Sequence, residues 1–525
     1  MTEEAGQTPE SDRPAGASSG RLSAIILSAQ LSERFLALVL AAVVAAWLGA
    51  GRTLDIGLLA LAVPNAVGDL LETILYVGLL PLFSRQWTVE GEAAAWRLAN
   101  RTINTAVLGM LGLLALYLAL VPLTTRLMAQ SYPPADLRRA ISLGLIAGPI
   151  ILFRGLGGTA AAFLMTRYAV WPAFGRFGVR GVVRVLIFVA LYRMGWGVTA
   201  FVISTPLGDL AALLPCLLAA RRFTGGERYR VRVLLPGSTL AGILSQVGNQ
   251  GIIGGVNAAV LILERSFASG LAAGSVAILN YTRGLALLPL MSGRSISTAF
   301  YPRLARQAAA QDPDLGPTVW RGLRAAALAT IPLCVAFFVV REPLVAVFYR
   351  RGAFTQHDMQ RVAALMPYYL GGCVLWSLSF MASRALFAVM QSALVAKLEF
   401  LSWFVYLASV VYLTPRLGIA GIGLAFLLRI IVSSGLVLVA ARRRGVVSPK
   451  RPGRYTAHTV IGAVVLAAGA WVGYRAASAS SSARRCALRY ACFTLPPSNI
   501  AAFPESVRER QSWDWSVAPL QGATI

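Results

Sequence analysis

Apolar segments of about 20 residues restrict what this chain can fold into more than any other feature. They recur from about residue 24 to residue 477, separated by short polar connections. Since about 20 apolar residues cross the hydrocarbon core of a bilayer, each is a candidate transmembrane helix. Charged residues make up only 13% of the chain, whereas an ordinary soluble domain has roughly 25%. The sequence therefore predicts an all-α, polytopic membrane protein and excludes a soluble fold.

The segments predict roughly 13 to 14 transmembrane helices. We place the 13 evident ones near residues 31–50, 56–83, 103–125, 140–165, 170–192, 195–220, 238–262, 272–299, 324–348, 362–384, 392–414, 418–441 and 456–476. Proline or glycine interrupts several of them. Interrupted helices persist in a bilayer where neighbouring helices or an aqueous cavity satisfy the freed backbone groups. Such helices are common in transporters, and they also occur in purely structural spans.

The net charge of +26 is explained by orientation in a membrane, so we expect no nucleic-acid partner. The basic residues concentrate in the connections 84–102, 221–237, 302–323 and 442–455. The positive-inside rule places these connections, together with the N-terminus, in the cytoplasm. We expect the protein in the bacterial cytoplasmic (inner) membrane as a multi-pass chain.

A weak internal similarity divides the chain into halves. Residues 163–172, after the fourth predicted span, resemble residues 387–396, after the tenth. Two six-helix lobes related in this way are typical of an alternating-access transporter, although chance similarity between apolar sequences also explains the match. We predict a disordered N-terminus at 1–30, lobes at 31–222 and 223–445, an additional helix at 446–477, and a disordered or aberrant tail at 478–525.

Ionisable residues inside predicted spans are expensive in a membrane and mark functional positions. Asp69 and Glu72 share one helix face, where they would bind a coupling cation or pair with an interior arginine. Arg176, Arg180 and Arg184 form a stripe at a spacing of four residues. Guanidinium groups pair bidentately with phosphate oxygens, so the stripe predicts a phosphate or pyrophosphate contact. The alternative is that these arginines extend to the lipid headgroups.

Familiar catalytic signatures are absent from the sequence. It contains no GxxxxGK[ST] or HExxH motif, so we expect neither an ATP-driven pump nor an enzyme. The five cysteines form no CxxC pair and only two histidines are present, which argues against a metal site. We expect no cofactor other than a coupling cation, Na+ or H+.

Two stretches of sequence resemble a known family. One is residues 273–290 with 297–306, and the other is residues 348–355 with Asp358, 369–371 and 383–388. Supporting matches are residues 48–51 with Asp55, Pro64-Asn65, and residues 417–421. These patterns resemble the MurJ (MviN) lipid II flippases of the MOP exporter superfamily, over roughly residues 30–477.

The resemblance implies two six-helix lobes in a V-shaped, MATE-like arrangement around a central cationic cavity. It implies a flippase that translocates a polyprenyl-pyrophosphate-linked saccharide, lipid II or a similar peptidoglycan precursor, by alternating access. Departures from the family occur where Leu40 replaces a basic residue, where Gly68 and Asp69 replace a basic pair, and where Arg283 is shifted by one position.

We expect pyrophosphate contacts and gating or coupling groups on separate sets of residues. The contacts are Arg34, Arg176, Arg180, Arg283 and Arg384, and the gating or coupling groups are Asp55, Asp69 and Glu72. The expected partners are a glycan lipid and the membrane, with the chain a monomer. Alternatives are a flippase for O-antigen or exopolysaccharide units, a cation-coupled exporter of the same superfamily, and a degenerate, non-transporting membrane scaffold.

Overall fold

The computed structural model describes residues 19–167, 169–224, 229–231 and 235–447. Within these ranges the chain forms α-helices joined by short connections and no β-strand. The helices are α1 Ser19–Leu48, α2 Arg52–Ala60, α3 Ala62–Met128, α4 Pro134–Ala147, α5 Ile150–Met165, α6 Val170–Arg193, α7 Val198–Ala220, α8 Gly237–Ser269, α9 Ser275–Ala286, α10 Leu290–Ala309, α11 Leu315–Val339, α12 Arg341–Tyr349, α13 Gln356–Ala388, α14 Ser392–Leu417 and α15 Ile419–Arg443. A single 3-10 turn, Arg221–Phe223, follows α7.

The helices confirm the all-α, multi-pass prediction. In the described part of the chain, nine helical segments are long and apolar enough to cross a membrane. They coincide with nine of the thirteen predicted spans. Helix α1, helix α6 and the α9–α10 pair occupy three more of the predicted spans. Helix α6 carries four arginines, so its composition is too charged to count among the nine apolar segments. The thirteenth, at 456–476, lies outside the described residues.

Several predicted boundaries need correction. The predicted span at 324–348 contains the end of α11 and most of α12, and the predicted connection at 84–102 lies within α3. Helix α1 begins at Ser19, before the predicted start at residue 31. Helix α8 continues to Ser269, beyond the predicted end at residue 262. The predicted lobe boundaries at 222–223 and 445–446 stay predictions. Residues 1–18, most of the predicted helix at 446–477 and the whole tail at 478–525 lie outside the described part.

Helix α3 is two membrane-length helices separated at one glycine. The backbone at Gly91 has φ +83° and ψ −175°, a conformation that is strained for residues with a Cβ atom. Residues 62–90 and 92–128, on either side of this position, are each longer than the about 20 residues that cross a membrane. Gly91 therefore ends one span and lets the next begin without a loop.

Helix packing is densest within each half of the described chain. In the first half α3 packs on α5, α6 on α7, and α1 on α6. In the second half α13 is central and packs against α10, α11 and α15. The halves meet where α3 packs against α8, and by smaller contacts of α2 with α9 and of α1 with α12.

A buried carboxylate joins the two halves at the start of α9. Asp55 is only 1% exposed and accepts hydrogen bonds from the backbone N–H groups of Gly274 (2.6 Å) and Ala277 (2.8 Å). The first N–H groups of a helix have no partner inside the helix, so Asp55 satisfies them from α2. Gly274 has φ +86°, and a Cβ atom there would lie 2.1 Å from the carbonyl oxygen of Ala50. The short separation between the two backbones therefore requires glycine.

We predict that Asp55→Ala destabilises the protein by about 1–3 kcal/mol, the usual cost of buried N–H groups without an acceptor. The measurement is the free energy of unfolding in mixed micelles with increasing sodium dodecyl sulfate. Asp136→Ala is the control, because Asp136 is half-exposed and lies 3.9 Å from the Nε of Arg52. Equal stability of the two variants would contradict a structural role for Asp55.

Candidate functional site

A cavity of about 510 Å³ lies where the two halves meet. Its walls come from both halves, because α1, α2, α3, α6 and α7 contribute on one side and α8, α9, α10, α12 and α13 on the other. Arginines outnumber acids in the lining. The arginines are Arg34, Arg184, Arg265, Arg283 and Arg294, and the acids are Asp69 and Glu264. The cavity is therefore cationic.

The side chains of three of these arginines form no ion pair or hydrogen bond within the described residues. The guanidinium of Arg184 lies over the ring of Phe201 at 5.4 Å, and that of Arg294 lies over Phe380 at 5.6 Å. Arg34 is exposed on α1. Aromatic rings orient a guanidinium without neutralising it, so these groups keep their charge and most of their donors for a ligand.

The other two cavity arginines are held by the protein. Arg283 on α9 forms an ion pair with Glu264 on α8, whose carboxylate also accepts a hydrogen bond from the Tyr369 hydroxyl. Arg265, the next residue along α8, donates to the carbonyl oxygen of Leu58 at 2.7 Å. These contacts fix both arginines at the wall between the halves.

A buried ion-pair cluster lies beside the cavity in the first half. Asp209 is 1% exposed and contacts both Arg154 (2.9 Å) and Arg180 (2.7 Å). Glu72 contacts Arg176 (2.6 Å) and Arg180 (3.1 Å). Two further carboxylates complete the cluster: Asp69 lies 2.5 Å from Arg154, and Glu33 lies 3.5 Å from Arg180. The arginines of this cluster are neutralised by neighbouring acids.

The structure separates the predicted site residues into different environments. Arg34, Arg283 and Asp69 line the cavity. Arg176, Arg180 and Glu72 belong to the ion-pair cluster, which is the interior pairing that the sequence left open for Glu72 and Asp69. Arg384 lies over the Tyr301 ring at 5.1 Å and Asp55 caps α9. Their assigned roles as anion contacts and gating groups stay predictions.

Sequence reasoning missed Glu264 and Arg265. The seventh span was predicted to end at residue 262, which placed both residues in a polar connection rather than in the membrane. The apolar run at residues 258–263 and Phe267 flank the pair, and a helical continuation through it is the signal that would have found them. Arg184 belongs to the stripe that predicted a phosphate contact, although it is not among the individual contacts chosen from the sequence, and Arg294 is not among them either.

The sequence of this chain is similar to that of one known protein family. A family model described as "Lipid II flippase MurJ" matches residues 44–484. A "Probable lipid II flippase MurJ" of Helicobacter pylori is 29% identical over 168 residues, which cover 31% of this chain and 36% of that protein. The chain thus spans about a third of the length of that relative. The lipid II flippase MurJ of Burkholderia cenocepacia is 26% identical over 385 residues, covering 68% and 71% respectively.

Solved structures share the same fold at low sequence identity. A lipid II flippase MurJ in an inward closed conformation has a TM-score of 0.68 at 16% identity, covering 86% of this chain and 99% of that chain. An inward-facing multidrug resistance MATE family transporter of the MOP superfamily has a TM-score of 0.67 at 14% identity, covering 80% and 98%. The MurJ-like and MATE-like helical fold that the sequence predicted is therefore supported by both groups.

We predict that Asp209→Asn and Asp69→Asn differ strongly in stability although both remove a partner of Arg154. Asp209 is buried between two arginines, and breaking a buried ion pair costs about 3–5 kcal/mol. The Asp69 side chain is 65% exposed to the cavity, where an ion pair contributes about 0–1 kcal/mol.

The difference is measured by the same detergent unfolding titration, with the wild-type chain as reference. A loss of stability in Asp69→Asn as large as that in Asp209→Asn would show that exposure to the cavity does not weaken the Arg154–Asp69 pair.

Proposed function

The chain belongs to the lipid II flippase MurJ family, and from this premise we propose that it is a flippase for a polyprenyl-pyrophosphate-linked saccharide. The cargo would be lipid II or a similar peptidoglycan precursor, carried from the inner to the outer leaflet of the cytoplasmic membrane. The relatives supply the cargo class through their names. The residues of this chain support it through the charge of the cavity.

The excess of arginine in the cavity carries the proposal. A guanidinium without a carboxylate partner is expensive inside a membrane and is retained where it serves a function. Arg184, Arg294 and Arg34 are such groups, and they face a space that both halves enclose. A pyrophosphate offers oxygens that pair bidentately with several arginines. An anionic headgroup would therefore neutralise the charge that the protein itself leaves uncompensated.

The position of the cavity supports alternating access. A ligand held there contacts residues of α1 and α6 in one half and of α9 and α10 in the other, so its binding energy depends on how the halves are arranged. Rocking of one half against the other would expose the headgroup to each side in turn. The ion-pair cluster around Asp209 stiffens the first half, which favours its movement as a unit.

The charge of the cavity also weighs against a cation-coupled drug exporter, because arginines repel a cationic drug. O-antigen and exopolysaccharide precursors carry the same pyrophosphate, so the peptidoglycan assignment rests on the family. We further propose a monomer with a cytoplasmic N-terminus. Asp69 is the carboxylate that a coupling cation, Na+ or H+, would reach from the cavity.

We predict that the wild-type chain restores growth to a bacterium depleted of its own lipid II flippase. The variants Arg184→Gln and Arg294→Gln should fail, because each removes a guanidinium that faces the cargo and that no acid of the described chain neutralises. Arg416→Gln should rescue as the wild type does, because Arg416 is exposed at the end of α14 over the Tyr412 ring. Membrane levels of all four chains are matched by immunoblotting.

Arg180 is a poor choice for this experiment, since its removal would leave Glu72 and Asp209 with an unbalanced charge in the interior. Rescue by both cavity variants would contradict the proposed role of the cavity. Failure of the wild-type chain at normal membrane levels would contradict lipid II as its cargo.

A further inference from the structure

Arg283 differs from the cavity arginines that carry no carboxylate partner, because it is already engaged by a carboxylate. Glu264 is 1% exposed, and the side chain of Arg283 is 23% exposed toward the cavity. The buried acid therefore holds an arginine that a ligand reaches from the other side. Arg34, Arg184 and Arg294 have no acidic partner within the described part of the chain, so a ligand meets them unoccupied.

The environment of the pair fixes its geometry. Glu264 accepts from the Tyr369 hydroxyl as well as from Arg283, so α8, α9 and α13 all converge on one carboxylate. The guanidinium of Arg283 lies 5.8 Å from the ring centre of Tyr369 and 5.3 Å from that of Phe426. Neither group of the pair can turn away freely. An anion entering the cavity must compete with Glu264 for the donors of Arg283.

We propose that Glu264 is a resident counter-ion that restricts the cavity to multiply charged headgroups by competing with them for Arg283. This inference rests on the proposed function and specifies how the same site selects its ligand. Every anion must displace Glu264 from Arg283 before it binds this arginine, and this cost lowers the affinity of all anions by a similar factor. A pyrophosphate also engages the arginines that have no carboxylate partner, so it binds despite the competition.

A singly charged phosphodiester gains less binding energy than a pyrophosphate from the arginines that have no carboxylate partner. The headgroups of ordinary membrane phospholipids are phosphodiesters, and they surround a membrane protein at high concentration. A cavity of fully available arginines would be occupied by them. With Glu264 in place, Arg283 stays paired until a ligand with enough negative charge displaces the carboxylate. Glu264 thus sets the amount of negative charge that an anion needs in order to occupy the cavity, and it leaves the ratio of the affinities of two anions unchanged.

The test measures binding of two soluble probes to the purified full chain in a phosphate-free, non-ionic detergent. Isothermal titration calorimetry is carried out with inorganic pyrophosphate and with dimethyl phosphate, a singly charged phosphodiester. We expect Glu264→Gln to bind pyrophosphate about tenfold more tightly than the wild type, which corresponds to about 1.4 kcal/mol. Dimethyl phosphate should bind measurably to Glu264→Gln and not to the wild type at the same concentration.

Glu399→Gln is the matched control. Glu399 is also a buried acid paired with a buried arginine, Arg429 at 3.1 Å, and it does not line the cavity. Its substitution should leave the binding of both probes unchanged. Glu264→Asp is the second variant, because it keeps the charge while shortening the side chain, and it should tighten pyrophosphate binding to a smaller extent.

Two results overturn different parts of the argument. Wild-type binding of pyrophosphate that neither Glu264 variant strengthens, in protein that elutes as a single folded species, would contradict the role of Glu264 alone. Absence of pyrophosphate binding by the wild type and by every variant would contradict the proposed function together with this inference.

Discussion

The cost of an uncompensated charge in a membrane interior organises this protein. Several interior arginines are neutralised by acids from other helices, as Arg154 and Arg180 are by Asp209, and Arg429 is by Glu399. The cavity differs, since arginines without an acidic partner gather there on both sides of the boundary between the halves. Because such arginines are costly inside a membrane, their concentration in the cavity identifies where an anionic ligand belongs.

The segments that resemble the MurJ family also hold the two halves of the chain together beside the cavity. Asp55 caps α9, the Tyr281 hydroxyl donates to the carbonyl oxygen of Gly49 at 3.0 Å, and the N–H of Ala353 donates to the carbonyl oxygen of Ala46 at 2.8 Å. These contacts join the start of the chain to its second half by close backbone approach. The sequence pattern of these segments therefore reflects the contacts between the halves and does not identify the cargo.

The sequence predicted the fold because membrane-length apolar segments leave few alternatives, and nine spans were located correctly for that reason. The site was harder to predict. Arg176, Arg180 and Arg184 share one helix face, yet only Arg184 lines the cavity. Arg176 and Arg180 are instead paired with acids of α3 and α7, such as Glu72 and Asp209. These acids lie far from the arginines in the sequence. Glu264 was missed for a local reason, since the boundary of its helix was placed too early.

We propose that the cationic cavity moves a pyrophosphate-linked glycan across the bilayer. The most direct measurement reconstitutes the purified chain into liposomes with fluorescent lipid II and follows the exposure of its headgroup to an external, membrane-impermeant quencher. This proposal predicts that the wild-type chain exposes the headgroup faster than protein-free liposomes do and that Arg184→Gln does not. Equal rates with and without the wild-type protein, or an unimpaired Arg184→Gln variant, would contradict it.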